Sequence, residues 1–341
     1  MRGHSRSKNS VALLAYDPRI HEAVKRIRRV ARSTEPGLSG AKPRDEREAR
    51  NLLPDFAELV IGPATSGRTR WLNPGYKQGD PMQHQIVSRQ EWLKARIALL
   101  EREKAWTRQR DQIAAERLAL PWVRIEKDYV FAGPQGKLTL SDLFQGRSQL
   151  YIKHFMMAPG AQHQCVGCSL EVDHIAGILP HLENHDVSYA TVARAPIEEI
   201  EVVRKRMRWT FLWVSSFGSD FNYDFNVSFR AEDVAAGRAL YNFRTAPEWT
   251  ATVQDLSGRS VFYKNDAGEI FHTYSGYARG GEEVLGIYGI LDAMPHGRNE
   301  TGPHHTLADW ARPHNMYGKG GEVEGNGRYH APSCGCALHN T

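Results

Sequence analysis

The chain has 341 residues, of which 41% are hydrophobic and 24% are charged, proportions that are ordinary for a globular protein. Its apolar runs fall short of the roughly 20 residues that a membrane-spanning helix needs, and the run Val11–Tyr16 is too short for a secretory signal. Residues 1–81 contain 16 Lys and Arg and 9 Asp and Glu, whereas residues 82–341 contain 28 Lys and Arg and 30 Asp and Glu. The positive charge is therefore confined to the first part of the chain, and the rest lacks the basic surface of a nucleic-acid-binding protein. These features predict a cytoplasmic protein that binds neither a membrane nor nucleic acid.

Residues 1–81 do not have the pattern of a folded domain. The stretch "RSTEPGLSGAKPRDEREAR" is rich in charges and in residues that break regular structure, and it offers little apolar surface to offset the entropy lost on ordering. We expect residues 1–81 to be a basic, poorly ordered extension, with Met82 as an alternative start of the protein. A basic arm for an acidic partner is the alternative interpretation.

A long helix is predicted within residues 82–121. Ser88 and Glu91 have the spacing of a capping box, and the helix is expected to end near Pro121. Four large apolar residues recur at intervals of seven: Trp92, Leu99, Trp106 and Ile113. The pattern indicates an amphipathic helix that packs on the core of the same chain, and a dimer contact through residues 88–120 is the alternative.

Strands and helices alternate through the rest of the sequence. "DYVFAGPQGKLTLSDLF" predicts two short strands and a helical turn, and "QLYIKHFMM" predicts a further strand. After it, "LEVDHIAGILPHLENH", "VSYATVAR", "PIEEIEVVRKRM" and "WTFLWVSS" read as helix, strand, helix and strand, followed by a hairpin in "SVFYKNDAGEIFHTYS" and a helix in "GEEVLGIYGILDAM". This rhythm predicts a mostly parallel central sheet.

Two cysteines three positions apart precede a predicted helix in "HQCVGCSLEVDHI". With only four cysteines, at 165, 168, 334 and 336, the chain is not a disulfide scaffold. The partial positive charge at a helix start lowers a thiol pKa from its free value of about 8.5. We therefore expect Cys165 to be an exposed nucleophile, Cys168 to resolve its mixed disulfide, and His163 to act as a nearby cation or proton acceptor.

The tail at residues 318–341 offers a second cysteine pair in "SCGCALH". Cys334, Cys336 and His339 could join Cys165 and Cys168 in holding zinc, which is the metal alternative to redox chemistry. A flexible tail could also present its thiols to a Cys165–Cys168 disulfide. A cysteine pair without any chemical role is the third interpretation.

Two further strings carry candidate binding residues. Asp220 and Tyr223 in "FGSDFNYDF" follow a predicted strand, and loops at this end of an open sheet build ligand sites. In "FHTYSGYARG", strand alternation predicts His272 and Tyr274 on one face, with Arg279 as a contact for an anion. Ordinary aromatic packing of the sheet is the alternative for both strings.

The order strand–CxxC–helix–strand–helix–strand–hairpin–helix resembles the thioredoxin-like fold, and the stretch from "DYVFAGPQGKLTLSDLF" through "IKHF" resembles the opening of peroxiredoxins and extracytoplasmic thioredoxins. "LLEREKAWTRQRD", "SSFGSDFNYDFNVSF", "FHTYSGYARGGEEVLGIYGILDAMPHGRNE" and "DWARPHNMY" resemble a bacterial family called domain of unknown function 899, also labelled a thioredoxin family. The resemblance covers about residues 85–317. It implies an α/β fold, a thioredoxin-like three-layer sandwich with a mixed central sheet over residues 122–317, with a protein or small-molecule thiol or disulfide as partner. The sequence has no Gly-rich phosphate loop and no other pattern of a nucleotide or flavin site, so we expect no cofactor.

Three departures from the relatives limit this resemblance. Gln164 stands where thioredoxins have Trp before the first cysteine, and "DLSGRSVFY" lacks the cis-proline that they place before the hairpin. Pro159 lies six residues before Cys165, not seven, so the peroxiredoxin signature is not matched. The leading hypothesis is a thiol–disulfide oxidoreductase, and the alternative is a non-catalytic protein of this fold that binds a ligand in an aromatic cleft.

Overall fold

The computed structural model describes residues 84–252 and 255–332. The predictions for residues 1–81, for Met82 as a start, and for Cys334, Cys336 and His339 lie outside these residues. In the described part of the chain, no helix is both long and apolar enough to cross a membrane.

The first helix, α1 (Arg89–Leu118), begins where the capping box predicts. The Glu91 N–H donates to Ser88 Oγ at 3.3 Å, and the Ser88 N–H donates to Glu91 Oε2 at 3.0 Å. The structure differs from the predicted packing, because no side chain of α1 is buried. A single apolar residue every seven positions in the second half of the helix makes a stripe too narrow to cover a sheet.

The central sheet has eight strands: β1 (Val123–Arg124), β2 (Val130–Gly133), β3 (Gly136–Thr139), β4 (Gln149–His154), β6 (Val187–Ala193), β7 (Leu212–Ser215), β10 (Gly258–Lys264) and β11 (Ile270–Tyr277). They lie in the order β1-β11-β10-β4-β6-β7-β2-β3. Strand β4 pairs in parallel with β6, and β6 pairs in parallel with β7, while the other pairs are antiparallel. The sheet is therefore mixed, and the predicted parallel arrangement holds only for β4, β6 and β7.

Helices cover both faces of this sheet. Alternating residues of β4 point in opposite directions, so that Leu150 and Ile152 join one core cluster while Tyr151 packs on the other. The Tyr151 face carries α2 (Val166–Asp173), α3 (Leu179–Asn184) and α4 (Ile197–Met207), and the opposite face carries a 3-10 turn (Asp142–Phe144) and α5 (Phe221–Asp224). These layers confirm the thioredoxin-like three-layer sandwich.

Shorter elements complete the described chain. They are α6 (Ala231–Ala235), α7 (Gly286–Leu291) and the 3-10 turns Glu248–Ala251, Ala278–Val284, Leu307–Asp309 and His314–Met316. The strands β8 (Leu240–Tyr241) and β9 (Arg244–Thr245) form a small sheet. A third sheet joins β5 (Gln164–Cys165), β13 (Arg328–His330) and β12 (Glu322–Val323), so the end of the described chain lies beside the cysteine motif.

Candidate active site

Cys165 and Cys168 lie on the first turn of α2, and both are free thiols. Cys165 ends β5 and is the N-cap of the helix, where its Sγ accepts the backbone N–H of Cys168 at 3.3 Å. A sulfur in this position takes up one of the N–H groups that have no partner within the helix. The predicted placement of the pair at a helix start is therefore what the structure shows.

The exposure of the pair differs from the prediction. Cys165 is 5% exposed and Cys168 is 1% exposed, whereas the sequence led us to expect an exposed Cys165. Strand β13 runs beside β5 and pairs Arg328 with Cys165, and Met156 Sδ lies 3.7 Å from Cys165 Sγ. Cys165 therefore has neighbours that are remote in sequence or lie in the preceding loop, and the local pattern does not reveal them.

A buried ion pair influences Cys168. Lys153 projects from β4 and Glu171 from α2, and their side chains form an ion pair with almost no exposure to solvent. The Lys153 ammonium also donates to Ser257 Oγ at 2.7 Å. Burial alone would lower the pKa of Lys153, but the charges of Glu171 and of the Cys168 sulfur raise it above its ordinary value.

The two thiols have shifted pKa values of opposite sign. Burial acts to raise the pKa of Cys168, but the hydrogen bond from Cys165, the charge of Lys153 and the Met156 N–H lower it to about 7. The hydrogen bond to Cys168, burial and the charge on Cys168 raise the pKa of Cys165 well above its ordinary value. The prediction of a lowered pKa at Cys165 is therefore reversed, because the hydrogen bond to Cys168, burial and the charge on Cys168 outweigh the Lys153 charge, which lowers the pKa of both thiols.

Phenols and an arginine extend this ionisable cluster across the sheet. The Tyr151 and Tyr189 rings stack with centroids 5.7 Å apart, and burial raises the pKa of Tyr151 to about 12. Arg259 of β10 pairs across from Lys153 and is also buried. Sequence reasoning did not single out this cluster, although "QLYIKHF" places Tyr151 and Lys153 two positions apart, on one face of a buried strand.

His163 lies on the outer side of the motif, beside β13. Its ring centroid is 6.0 Å from that of His330, and burial together with the positive charges of Arg328 and His330 lowers its pKa. A lowered pKa disfavours the predicted role of His163 as a cation. Lys153 supplies the positive charge near the sulfurs instead.

Asp220 and Tyr223 belong to a separate group of charges. Asp220 forms ion pairs with Lys127 at 2.8 Å and with Arg230 at 2.6 Å. The guanidinium of Arg230 lies 4.0 Å from the centre of the Tyr223 ring, and the Arg194 guanidinium donates to the Tyr223 hydroxyl at 3.1 Å. Within the described chain, the structure thus gives these two residues charged partners rather than contacts with the cysteine pair.

His272 and Tyr274 lie on opposite faces of the sheet, contrary to the prediction. The register between β10 and β11 shifts so that Tyr274 pairs with Val261 and His272 pairs with Phe262, which is the next residue. Such a bulge inserts one residue into a strand and ends the simple alternation of its side chains. Arg279, the third member of this string, forms an ion pair with Glu282 at 2.7 Å.

The bulge places His272 at the end of a buried hydrogen-bond chain. His154 Nε2 lies 2.8 Å from Ser260 Oγ, Ser260 Oγ lies 2.8 Å from Ser275 Oγ, and Ser275 Oγ lies 2.8 Å from His272 Nε2. Burial, Lys153 and His272 lower the pKa of His154 to about 3. This neutral polar chain lies on the face of the sheet away from the cysteines and was not predicted.

Comparison with known proteins gives a family for most of the chain. The model of the family described as "Bacterial protein of unknown function (DUF899)" matches residues 81–317. A search of the curated proteins found no match.

Several solved structures are similar at low identity. A cysteine-to-serine mutant of PrxQ from Xylella fastidiosa is 14% identical with a TM-score of 0.31, over 48% of this chain and 88% of its own. The mitochondrial 2-Cys peroxiredoxin of Plasmodium falciparum is 13% identical with a TM-score of 0.31, over 50% and 91%. A protein of Bacteroides thetaiotaomicron, proposed to be a protein disulfide isomerase, is 16% identical with a TM-score of 0.28, over 55% and 99%.

Proposed function

The chain belongs to the bacterial family of unknown function DUF899, and we propose that it is a thiol–disulfide oxidoreductase that works through Cys165 and Cys168. One observation carries the proposal: the two thiols share the first turn of α2, and Cys168 has its pKa lowered to about 7 above a buried lysine. A thiol with a pKa near neutral pH is partly ionised there and is suited to exchange with disulfides. The setting we propose is the cytoplasm, with a protein or small-molecule disulfide as partner and no cofactor.

Cys165 attacks first in this proposal, because it is the less completely buried residue of the two. As its sulfur bonds to one sulfur of the substrate disulfide, that disulfide breaks and the leaving thiolate takes up a proton. The proton of Cys165 passes to the Cys168 thiolate, which is its hydrogen-bond partner. Cys168 then gives up that proton and attacks Cys165, which releases the second substrate thiol and leaves a Cys165–Cys168 disulfide.

One turn of this cycle adds two electrons and two protons to the substrate disulfide, and the electrons come from the cysteine pair. The substrate disulfide is reduced to two thiols, and the cysteine pair is oxidised to a disulfide. A second dithiol, which is oxidised in turn, restores the pair, and the same steps run in reverse oxidise a substrate dithiol.

Lys153 and Glu171 act on the negative charge that Cys168 carries in this cycle, and neither of them contacts the substrate. The Lys153 ammonium stabilises the Cys168 thiolate. When Cys168 is protonated or oxidised and carries no charge, the Glu171 carboxylate still balances the positive charge of the buried ammonium. Ser257, the residue directly before β10, accepts a hydrogen bond from the ammonium. Ser257 lies in "DLSGRSVFY", the stretch where thioredoxins have their cis-proline. At this place the chain therefore has a serine hydroxyl that accepts a hydrogen bond.

The binding-protein alternative loses support from the placement of its residues. An aromatic cleft built from His272, Tyr274 and Tyr223 would need these side chains to converge. The β11 bulge separates the first two, and Tyr223 packs with Arg230 and Arg194. Burial of both thiols is the observation that still favours a non-catalytic role.

The proposal is tested on the full chain with Cys334→Ser and Cys336→Ser, so that two thiols remain. The protein is equilibrated in glutathione buffers of graded redox potential, alkylated and mapped by mass spectrometry. We expect a Cys165–Cys168 disulfide that forms and opens reversibly, and we expect that the reduced protein reduces a small aromatic disulfide while Cys165→Ser/Cys168→Ser does not. Absence of the disulfide at every potential would refute the proposal.

The zinc alternative depends on residues outside the described chain. Among the described residues no group of three or more His, Cys, Asp or Glu could hold a metal, so Cys165 and Cys168 would need Cys334 and Cys336 to complete a site. Metal analysis of the natural sequence decides this alternative. One zinc per chain that is lost on Cys334→Ser/Cys336→Ser would replace the redox proposal.

A further inference from the structure

The edge of β5 is filled by a strand from the end of the described chain. Strand β13 pairs antiparallel with β5, with Arg328 opposite Cys165 and Tyr329 opposite Gln164. The Val166 N–H, at the start of α2, donates to the Gly327 carbonyl at 2.9 Å. An extended segment is therefore hydrogen-bonded along the edge of the cysteine motif itself.

Tyr329 anchors this segment in an apolar pocket. Its side chain is 3% exposed and packs in one cluster with Val166 and Ala311. The partly buried residues of this cluster from outside the segment are Leu307, Trp310 and Met316, and Val323 of β12 joins them from the segment itself. The Tyr329 hydroxyl donates to the Gly320 carbonyl at 3.1 Å. The pocket takes one large aromatic side chain of an extended strand.

The segment that supplies β13 is short and lies beyond the family match. The family model ends at residue 317, so β12 and β13 come after the part of the chain that it describes. The connecting turn depends on Gly327, which has a φ of 83°. Arg328 Nε is buried without a hydrogen-bond partner among the described residues, so the fit of this strand leaves one polar group unsatisfied.

We propose that residues 318–332 are a built-in pseudosubstrate, which occupies the binding site of an extended peptide beside Cys165. The ligand class is a polypeptide segment in which a disulfide-bonded cysteine directly precedes a large aromatic residue. The aromatic side chain takes the Tyr329 pocket, and the cysteine takes the position of Arg328, opposite Cys165. Residues opposite each other in an antiparallel pair have Cβ atoms about 4.5–5.5 Å apart, which is close to the separation that a mixed disulfide requires.

This inference rests on the proposed function, since it names the substrate class of the same cysteine pair. It also accounts for the burial of two thiols in an oxidoreductase. The pseudosubstrate covers Cys165 until a peptide with the matching cysteine and aromatic residue displaces it. Exchange then follows the steps given above, with the peptide's disulfide as the bond that breaks.

The first test measures how readily the pair is alkylated under native conditions. In the full chain with Cys334→Ser and Cys336→Ser, Tyr329→Ala removes the anchor, and Tyr317→Ala is the matched control because the Tyr317 side chain is half exposed. We expect alkylation of Cys165 at least ~10-fold faster in Tyr329→Ala and unchanged in Tyr317→Ala. Equal rates in Tyr329→Ala and its parent would overturn the inference.

A milder variant protects the test against misfolding of Tyr329→Ala. Asn326 is exposed, and its Oδ1 accepts the Arg328 N–H at 3.0 Å, so Asn326→Ala loosens the turn before β13 without opening the core. We expect a smaller increase in alkylation in the same direction. An unchanged rate in a folded Asn326→Ala, with Tyr329→Ala unfolded, counts against the inference.

The second test supplies the strand as a separate molecule. A synthetic peptide of residues 320–332 should slow the alkylation of Tyr329→Ala towards the parent rate, and the same peptide with Tyr329→Ala should not. In a protein that also carries Cys168→Ser, so that a mixed disulfide is not resolved, a peptide with Arg328→Cys, oxidised to a mixed disulfide with a small thiol, should become linked to Cys165 in preference to a peptide of scrambled order. Equal linkage of the ordered and the scrambled peptide to Cys165 would overturn the inference.

The two proposals fail in different ways. A reversible Cys165–Cys168 disulfide with peptide-independent alkylation would leave the oxidoreductase and remove the pseudosubstrate. Peptide-dependent alkylation without any such disulfide would leave a peptide-binding site and remove the oxidoreductase.

Discussion

Lys153 of β4 and Cys168 of α2 are both buried, so almost no water screens the charge of the ammonium from the sulfur. The Lys153 charge lowers the pKa of both thiols, but on Cys165 it is outweighed by the hydrogen bond to Cys168, by burial and by the charge of Cys168. On Cys168 it adds to the hydrogen bond from Cys165, and the two together outweigh burial. A lysine in the middle of an apolar strand is costly to bury unless it is paired, and Glu171 provides that pair. At the scale of single residues, the chemistry of the motif therefore depends on a lysine of strand β4 as well as on the two thiols and the helix start.

We predict that the pKa of the pair depends on this lysine. Removing one partner of a buried ion pair costs about 3–5 kcal/mol, so the variant replaces both, as Lys153→Met/Glu171→Gln. Cys168 is a thiolate above its pKa of about 7. The Lys153 charge lowers that pKa and the Glu171 charge raises it less strongly, so removing both should still raise it, by up to about one unit. The thiolate absorbance of the Cys334→Ser/Cys336→Ser protein, followed against pH, should shift to higher pH, and the thiolate fraction at neutral pH should fall.

The control for this prediction is an exposed ion pair of the same type. Lys104 and Glu101 on α1 are joined at 2.9 Å in solvent, so Lys104→Met/Glu101→Gln should leave the titration unchanged. A titration that is the same in the buried and exposed double variants would show that Lys153 does not set the pKa of Cys168.

At the scale of elements, local signals located the helices and strands, but contacts between elements decided how each is used. The capping box starts α1 at the predicted residue, yet the helix presents its large apolar side chains to solvent. The "NDAG" turn joins β10 and β11 as predicted, and a bulge within that hairpin then separates His272 from Tyr274. In both cases the element was correctly identified, and the direction of its side chains was not.

We predict that the apolar residues of α1 contribute little to the stability of the folded chain. Trp106 is 62% exposed and Trp213 is fully buried, so the two tryptophans form a matched pair. Trp106→Gln should change the free energy of unfolding by no more than about 0.5 kcal/mol, whereas Trp213→Ala should lower it by about 3–5 kcal/mol. Urea denaturation measures both values.

A large loss of stability in Trp106→Gln would show that α1 is covered in solution. The dimer alternative then predicts a melting temperature that rises with protein concentration in the natural sequence and not in the variant. A loss that does not depend on concentration would instead indicate packing on the same chain.

At the scale of the whole molecule, the family match and the described fold cover nearly the same residues. The match begins at residue 81 and the described chain begins at residue 84. The excess of basic over acidic residues that makes the whole chain positive lies in residues 1–81. The fold described here is thus formed by the part of the sequence without a net positive charge.

We predict that residues 1–81 are dispensable for folding and for the chemistry of Cys165. A protein that begins at Met82 should melt within a few degrees of the full chain, because the predicted extension has no apolar periodicity with which to bury surface. Its Cys165–Cys168 disulfide should form at the same redox potential. A marked fall in melting temperature or solubility would show that the extension packs on the sandwich.

The sequence by itself determined the order of the elements, the mixed α/β class, the family and the position of the cysteine pair at a helix start. These features depend on residues within a few positions of one another, through periodicity, capping and turn chemistry. The tertiary structure decided three things: that the Lys153 charge acts on the buried thiols, that the β11 bulge turns His272 away from Tyr274, and that Arg328 pairs with Cys165. Each depends on residues that are far apart in the sequence and are brought together by the fold. Burial strengthens the interaction between charges, and strand pairing sets the direction in which side chains point. No local pattern in the sequence reveals those contacts.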